Sequence, residues 1–117
     1  MSVVGIDLGT QSTRIAVVRA GGVDVICNEV SDRMTPSMVS FDAKRRYAGD
    51  ASRTQMLGNM RNTVAAVPRL VGRRACDVSA MERELSPCAL VATGADETSA
   101  IGAAVSYCGE ERVFGSV

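Results

Sequence analysis

The sequence predicts a mixed α/β chain, in which a three-stranded antiparallel β-meander is followed by a small α+β region. Three observations indicate this fold class. The opening 27 residues contain three short β-branched runs separated by two turn signals. A helix start follows near residue 50, and strand-length apolar runs alternate with turn residues after residue 88. With 117 residues, 46% of them hydrophobic, the chain suits one compact unit or part of a larger domain.

The meander is predicted from its two turns. Residues 3–8 form a short apolar run rich in β-branched side chains, which is typical of a buried strand. A polar turn at residues 9–11 leads into a second strand over residues 12–20. The two glycines at residues 21–22 tolerate positive φ, so they indicate a hairpin turn before a third strand over residues 23–27.

The middle of the chain is predicted to contain a loop, a hairpin and a helix. Residues 28–36 are polar and rich in turn residues. A strand over residues 38–41 is expected to pair with one over residues 46–48. A first helix should begin at Asp50, a good N-cap residue, and stop at Gly58.

The remaining elements are shorter. A second short helix is expected over residues 64–67, capped by Asn62 or Thr63, and Pro68 should end it because proline inside a helix costs about 3 kcal/mol. One helical turn is predicted over residues 79–85. A small antiparallel sheet then follows, with strands over residues 88–92, 100–107 and 112–114 and turns at residues 94–97 and 109–111.

Composition argues against several classes of function. Thirteen basic residues balance thirteen acidic ones, so no net charge attracts the chain to nucleic acid or to an anionic membrane. The absence of histidine excludes histidine catalysis, and two Tyr with two Phe are too few for a base-stacking platform. No run reaches the roughly 18 apolar residues of a membrane span, and the N-terminus lacks a basic leader. We expect no nucleic-acid or membrane partner.

The four cysteines are expected to be free thiols: Cys27, Cys76, Cys88 and Cys108. None are spaced as CxxC, and a zinc site built from all four scattered thiols is the less favoured alternative. Free thiols used as small hydrophobic side chains suit a reducing compartment, which predicts a cytoplasmic protein.

The residues that point to chemistry lie in the first predicted turn. Asp7 ends the first strand, and Gly9 leaves room for a phosphate to approach the backbone. Thr10 and Ser12 add hydroxyl donors. Asp7 is placed to hold Mg²⁺ through coordinated waters, because Mg²⁺ sheds its water reluctantly. The residues alone leave a second interpretation open, in which Asp7 and Gly9 simply build a hairpin turn.

Several motifs, in order along the chain, resemble one protein family. The segment GIDLGT at residues 5–10 resembles the first phosphate motif of the actin-like ATPase superfamily, and specifically of the seventy-kilodalton heat-shock chaperones. The segment NEVSDRMTPS at residues 28–37 resembles that family's N-E/Q-x-x-x-R-x-T-P-S pattern. The same order and spacing hold for YAGDA, NTV and RLVGR at residues 47–51, 62–64 and 69–73. Closer to the hundred-and-ten-kilodalton branch are AGGV at residues 20–23 and YCGEE at residues 107–111.

This resemblance implies the N-terminal start of a nucleotide-binding domain that belongs to a longer protein. The fold would be a partial actin-like ATPase lobe of ribonuclease H-like type. Residues 1–35 would begin the central-sheet subdomain of lobe I, and residues 36–117 would form its peripheral subdomain. Such a partial lobe would leave sheet surface uncovered, which invites self-association.

The resemblance also implies ATP or ADP with Mg²⁺ as cofactors. By residue match, the nucleotide would be bound by the turn and one arginine: Gly9, Thr10, Gln11, Ser12 and Arg69. Asp7 would be the catalytic carboxylate, near the hydrated metal.

One departure from the family pattern concerns hydrolysis. The family has an active-site lysine immediately before the segment that here reads RLVGR, and this chain has Pro68 in that position. Proline offers neither a charge nor an N–H, and the chain's only lysine, Lys44, lies in another predicted turn. We therefore expect impaired hydrolysis.

The leading hypothesis is a heat-shock chaperone or nucleotide-exchange co-chaperone, whose partners would be a smaller heat-shock chaperone and unfolded client proteins. The alternative is a non-enzymatic interaction module that docks on a partner chaperone, with nucleotide only stabilising its shape. A third interpretation, a sugar kinase or an actin relative, is disfavoured by the TPS segment at residues 35–37 and the region that follows it.

Overall fold

The computed structural model describes residues 3–115, and these form ten β-strands, two short α-helices and three 3-10 turns. Neighbouring strands pair in antiparallel fashion and belong to three sheets. This architecture confirms the fold class that the sequence predicts.

The first sheet is the predicted meander with one strand added. β1 (Val4–Leu8), β2 (Ser12–Arg19) and β3 (Gly22–Val25) pair in chain order. The sequence did not predict β4 (Thr35–Pro36), which pairs with the start of β2. A two-residue strand inside a polar loop has no alternating pattern that could reveal it.

β1 is exposed, although its apolar sequence predicts a buried strand. Val4, Ile6 and Leu8 share one face of the sheet, and they are 53%, 67% and 65% exposed. Ile15, which lies opposite Ile6 on β2, is exposed as well. The expected burial is therefore wrong for the part of the chain that the structure describes.

The second sheet lies next along the chain. Its order is β6-β5-β7, made of β6 (Arg46–Ala48), β5 (Met38–Phe41) and β7 (Thr63–Ala65). The hairpin of β5 and β6 is the predicted one. β7 corrects the helix expected over residues 64–67, because the β-branched side chains of Thr63 and Val64 favour an extended strand paired with β5. Only a 3-10 turn, Val67–Arg69, follows it.

Two α-helices accompany the sheets. In α1 (Asp50–Gln55) the N-cap residue is Gly49, with a φ of 59°, so Asp50 is the first helical residue and not the predicted cap. A Cβ on Gly49 would lie 2.6 Å from a methyl carbon of β4, so the close approach needs glycine. α2 (Ala80–Leu85) is capped by the side chain of Ser79 and confirms the helical turn predicted there.

A buried hydroxyl cluster explains why Thr63 lies in a strand. The Oγ of Ser40 on β5 lies 2.6 Å from the Oγ of Ser52 on α1 and 2.8 Å from the Oγ1 of Thr63. Thr63 also donates to the carbonyl of Asn59 over 2.9 Å. Because an unpaired buried hydroxyl is costly, this network holds β7 and α1 against β5.

The third sheet confirms the predicted C-terminal strands. Its order is β10-β9-β8, made of β8 (Ala89–Ala92), β9 (Ile101–Tyr107) and β10 (Glu110–Gly115). β10 begins earlier than expected, at Glu110. The turn needs only Cys108 and Gly109, whose φ angles are 56° and 78°.

The hydrophobic core lies between the second and third sheets. Its buried members in the described chain are Phe41, Ala75, Val78, Cys88, Leu90, Ile101, Ala103 and Val105. The ring of Phe41 stacks on Phe114 with centroids 5.0 Å apart and meets Tyr107 edge-on at 5.4 Å. All of these residues follow β4 in the sequence, so the meander adds no residue to this cluster.

Candidate functional site

The β1–β2 turn is closed by a hydrogen bond across it. The amide of Gly9 donates to the carbonyl oxygen of Ser12 over 3.1 Å. A Cβ on Gly9 would lie 2.6 Å from that same oxygen, closer than real contacts allow. In this structure the space that Gly9 leaves is filled by the chain's own carbonyl, and its amide is used inside the turn.

The next two amides of the turn are available as donors. Within residues 3–115, neither the N–H of Thr10 nor that of Gln11 donates to a protein acceptor. The carbonyl of Gln11 accepts from the amide of Ser37 over 2.9 Å, and the hydroxyls of Thr13 and Ser37 are 2.9 Å apart. The segment after β4 therefore braces the turn and leaves two donor amides on a fixed frame.

Thr10 and Gln11 line an open cleft that also receives Arg69. The cleft has a volume of about 590 Å³. Its walls are completed by Ser37, Met38, Ala65 and Ala66. None of these four was predicted as a site residue. Ser37 closes the TPS segment and has a sequence signal, whereas the two alanines have none.

Arg69 reaches the cleft because the chain turns sharply after β7. Ala66 adopts a left-handed conformation with a φ of 55°, and the 3-10 turn Val67–Arg69 begins directly after it. Pro68 fits this turn because its second position needs no N–H donor. Arg69 is exposed, and within the described chain its guanidinium makes no hydrogen bond or ion pair.

Ser12 and Asp7 lie apart from that cleft. Ser12 lines a neighbouring cavity of about 340 Å³ together with Gln11, Arg14 and Arg53. Within residues 3–115, Asp7 lines neither of these two cavities and pairs with Arg14 at 3.8 Å; its side chain is 69% exposed. The structure thus brings together three of the residues predicted from the sequence, Thr10, Gln11 and Arg69.

The donor set around Asp7 fits a hydrated metal only. Residues 3–115 contain no group of three or more carboxylate or thiol side chains that could enclose a metal ion. A single exposed carboxylate suits Mg²⁺ that keeps most of its waters. The four cysteines are free thiols, as predicted.

The segment at residues 28–37 has a structural explanation. The Asn28 side-chain amide donates to the Asp50 carboxylate over 3.0 Å and to the hydroxyl of Thr35 over 3.3 Å. Its carbonyl oxygen accepts from the amides of Val30 and Asp32. One asparagine thus folds the loop and ties β4, which braces the turn, to α1.

No helix within residues 3–115 is long and apolar enough to cross a membrane.

Comparison with known proteins finds one matching family model and several similar heat shock proteins. The family model described as Hsp70 protein matches residues 3–114. Heat shock protein hsp88 of Neurospora crassa is 48% identical over 115 residues, which is 97% of this chain and 16% of that protein. Heat shock 70 kDa protein 4 of Homo sapiens is 46% identical over 114 residues, covering 97% of this chain and 13% of its own length. The 97 kDa heat shock protein of Strongylocentrotus purpuratus is 40% identical over 115 residues, with 97% and 13% covered.

Proposed function

The chain belongs to the Hsp70 protein family, and from that premise we propose that it supplies the first phosphate-binding hairpin of an ATP-binding domain. The resemblance to heat-shock chaperones, and to the larger branch of the family, is confirmed by the relatives. The chain spans about 13 to 16% of the length of these relatives. Activity and partners of a whole protein are therefore part of the proposal.

The proposed domain division follows the sequence expectation. Residues 1–35 would begin the central-sheet subdomain of lobe I, and residues 36–117 would form its peripheral subdomain. The position of the described core supports this division, because every residue of the cluster follows β4.

One observation carries the proposal: Thr10 and Gln11, whose amides donate to no protein acceptor within residues 3–115, line an open cleft together with Arg69. Two backbone donors and a guanidinium form a set that suits phosphate oxygens, since both interact most strongly with charged acceptors. The plain-turn interpretation explains Gly9, whose amide closes the hairpin. It does not explain why, among the residues that the structure describes, the next two amides have no protein acceptor and Arg69 in the same cleft has no ionic partner.

Each residue would have a limited role. Thr10 and Gln11 would bind phosphate oxygens through their amides, and Arg69, which lines the same cleft, would neutralise phosphate charge. Ser12 accepts the bond that closes the turn through its carbonyl oxygen, and it lines the neighbouring cavity. Asp7 would orient waters of a hydrated Mg²⁺, and that ion would supply charge neutralisation between phosphates when bound.

Hydrolysis is proposed to be impaired because of Pro68. It occupies the 3-10 turn that carries Arg69, where a lysine would add a cation near the cleft. With Lys44 in the β5–β6 turn, no lysine stands beside the phosphate donors. The chain would then be a nucleotide-binding element of low turnover.

The partners proposed for a longer protein are a smaller heat-shock chaperone and unfolded client proteins, in the cytoplasm, with nucleotide exchange as the activity. The family membership and the names of the relatives support a chaperone role. For the chain alone, the exposed face of β1 supports association with a second copy.

Calorimetric titration of the chain with Mg·ATP tests the proposal. Arg69→Gln should weaken binding by about tenfold or more, because it removes a hydrogen bond to a charged group. Arg19→Gln is the matched control, since Arg19 pairs only loosely with Asp24 on the meander, at 3.7 Å. Equal affinities for all three proteins would refute the assignment. Absent nucleotide binding with retained binding to a smaller heat-shock chaperone would favour the non-enzymatic module instead.

A further inference from the structure

The side chain of Arg73 joins three pieces of backbone around the proposed site. Its Nη1 donates to the carbonyl oxygen of Arg69 over 3.3 Å and to Oε1 of Glu82 over 2.8 Å. Its Nη2 donates to Oε2 of Glu82 over 3.3 Å and to the carbonyl oxygen of Asp77. One guanidinium therefore connects the turn that bears Arg69 with α2 and with the 3-10 turn Ala75–Asp77.

Glu82 is in turn held on its own helix. Its Oε2 accepts from both the amide and the hydroxyl of Ser79 at 2.9 Å, and its amide donates back to the Ser79 hydroxyl over 3.2 Å. Hydrogen bonding from Arg73, followed by the Ser79 amide and hydroxyl, lowers the pKa of Glu82 to about 2. The carboxylate is thus a fixed, ionised anchor at neutral pH.

The backbone of Arg73 is also fixed. Its carbonyl accepts from the amide of Ile101, a fully buried residue of β9, over 3.1 Å. Its amide donates to the carbonyl of Leu70 over 3.1 Å. The backbone of Arg73 is therefore hydrogen-bonded to β9 of the third sheet, and its side chain contacts the turn that carries Arg69.

We propose that Arg73, held by Glu82, is a positioning residue that sets the direction of the Arg69 side chain toward the phosphate cleft. The inference rests on the proposed function, because it assigns Arg73 to support a phosphate contact. Arg73 does not line the cleft itself. Its effect passes through the carbonyl of Arg69, whose position fixes where the Arg69 side chain leaves the backbone.

A neighbouring ion pair provides a matched control. Arg74 pairs with Asp77 three residues on, with Nε to Oδ2 at 3.1 Å, and both side chains are largely exposed. Arg74 donates no hydrogen bond to Arg69 within residues 3–115. It therefore shares the local charge of Arg73 and its link to Asp77 without the contact that the proposal needs.

The experiment measures Mg·ATP affinity and thermal unfolding of the full chain. Arg73→Gln should weaken Mg·ATP binding about tenfold, a loss typical of residues that hydrogen-bond to a binding residue without contacting the ligand. Arg74→Gln should bind as the wild type does. Equal binding by wild type and Arg73→Gln would overturn the inference.

A charge swap separates positioning from stability. In the double variant Arg73→Glu with Glu82→Arg, the two side chains again carry opposite charges, but glutamate has no donor for the Arg69 carbonyl. Because Glu82→Arg also removes the acceptor for the Ser79 amide and hydroxyl, the double variant is compared with both single variants. The proposal predicts a melting temperature above that expected from the sum of the two single losses, without recovery of affinity. Affinity that returns together with the melting temperature would contradict positioning.

A variant that keeps the positive charge at position 73 shows whether a loss of affinity comes from misfolding. Arg73→Lys keeps the cation and should fold, yet a single ammonium cannot reproduce the guanidinium fork, so affinity should remain reduced. Wild-type affinity in this variant would contradict the inference. Absence of Mg·ATP binding by the wild-type chain would refute the proposed function. Equal binding by the wild type and the variants would refute only the role of Arg73.

Discussion

Gly9 and Gly21 occupy the two turns of the meander, but only Gly9 faces a close contact. At Gly9 an added Cβ would meet the Ser12 carbonyl, whereas at Gly21 nothing lies within 4 Å. A turn could be predicted from the glycine at both positions. Which of the two is sterically required depends on the path of β2, and no local pattern encodes that.

Gly9→Ala should therefore destabilise the chain by about 1 to 3 kcal/mol, the usual cost of forcing extra atoms into a packed position. The same substitution at Gly21 should change the unfolding free energy by less than about 0.5 kcal/mol. Urea denaturation of both variants checks the difference. Equal losses would mean that the turn relaxes around the new methyl group.

Pro68 is the second residue with a specific prediction. In a protein that contains the complete domain, Pro68→Lys should raise the rate of phosphate release from ATP, because it adds a cation beside the cleft. Pro68→Ala is the control, as it removes the ring without adding charge. Unchanged turnover in the lysine variant, or brisk turnover with proline, would count against a catalytic meaning for this position.

At the scale of elements, β7 and α2 illustrate what the sequence could and could not predict. α2 carries a local signal, Ser79 followed three residues later by Glu82, and its capping box is present in the structure. β7 is only three residues long and was expected to be a helix. Its strand conformation comes from pairing with β5 and from the buried hydroxyl of Thr63, which are tertiary effects.

The candidate site also has a part that the sequence could predict and a part that depends on tertiary structure. Thr10 and Gln11 could be proposed from the turn motif, because the chemistry lies within a few consecutive residues. Their meeting with Arg69 depends on the left-handed Ala66 and on β7, neither of which was predicted. The separation of Ser12 and Asp7 from the cleft follows from strand alternation around a turn whose geometry was unknown.

The first turn of α2 predicts a pH dependence. The pKa of Glu82 is about 2 in the folded chain against an ordinary value of 4.5. Because the folded-state pKa is lowered, its stabilising effect is complete above pH 4.5 and is lost as the pH falls toward 2. The unfolding free energies of wild type and Glu82→Gln should differ at pH 6 and converge near pH 2. A constant difference across this range would refute the role of the ionised carboxylate.

At the scale of the whole molecule, the chain is elongated. Its radius of gyration is 16.3 Å and its extents are 53 × 29 × 25 Å, whereas a compact domain of this length has a radius of gyration of about 13 Å. The core cluster lies between the second and third sheets, and within residues 3–115 the meander adds none of its residues. The fold class could be predicted from local patterns, but the exposure of β1 could not. An apolar strand predicts burial, and its sequence does not show which part of the molecule would cover it.

The exposed face of β1 predicts weak self-association. Ile6→Lys should reduce the concentration dependence of the sedimentation coefficient, because it places a charge in the apolar patch. Leu57→Lys is the control, since Leu57 is 89% exposed and belongs to the segment after α1, not to the meander. Equal sedimentation behaviour of wild type and Ile6→Lys across concentrations would exclude this face as the contact.

The phosphate-binding role of the hairpin is tested most directly by following backbone amide NMR signals of the full chain during titration with Mg·ATP and, separately, with adenosine. If the hairpin binds phosphate, the signals of the Thr10 and Gln11 amides and of the Arg69 side-chain Nε–H shift with Mg·ATP and stay in place with adenosine, which carries no phosphate. If these three signals remain still while others move, or move equally with adenosine, the hairpin is not a phosphate site.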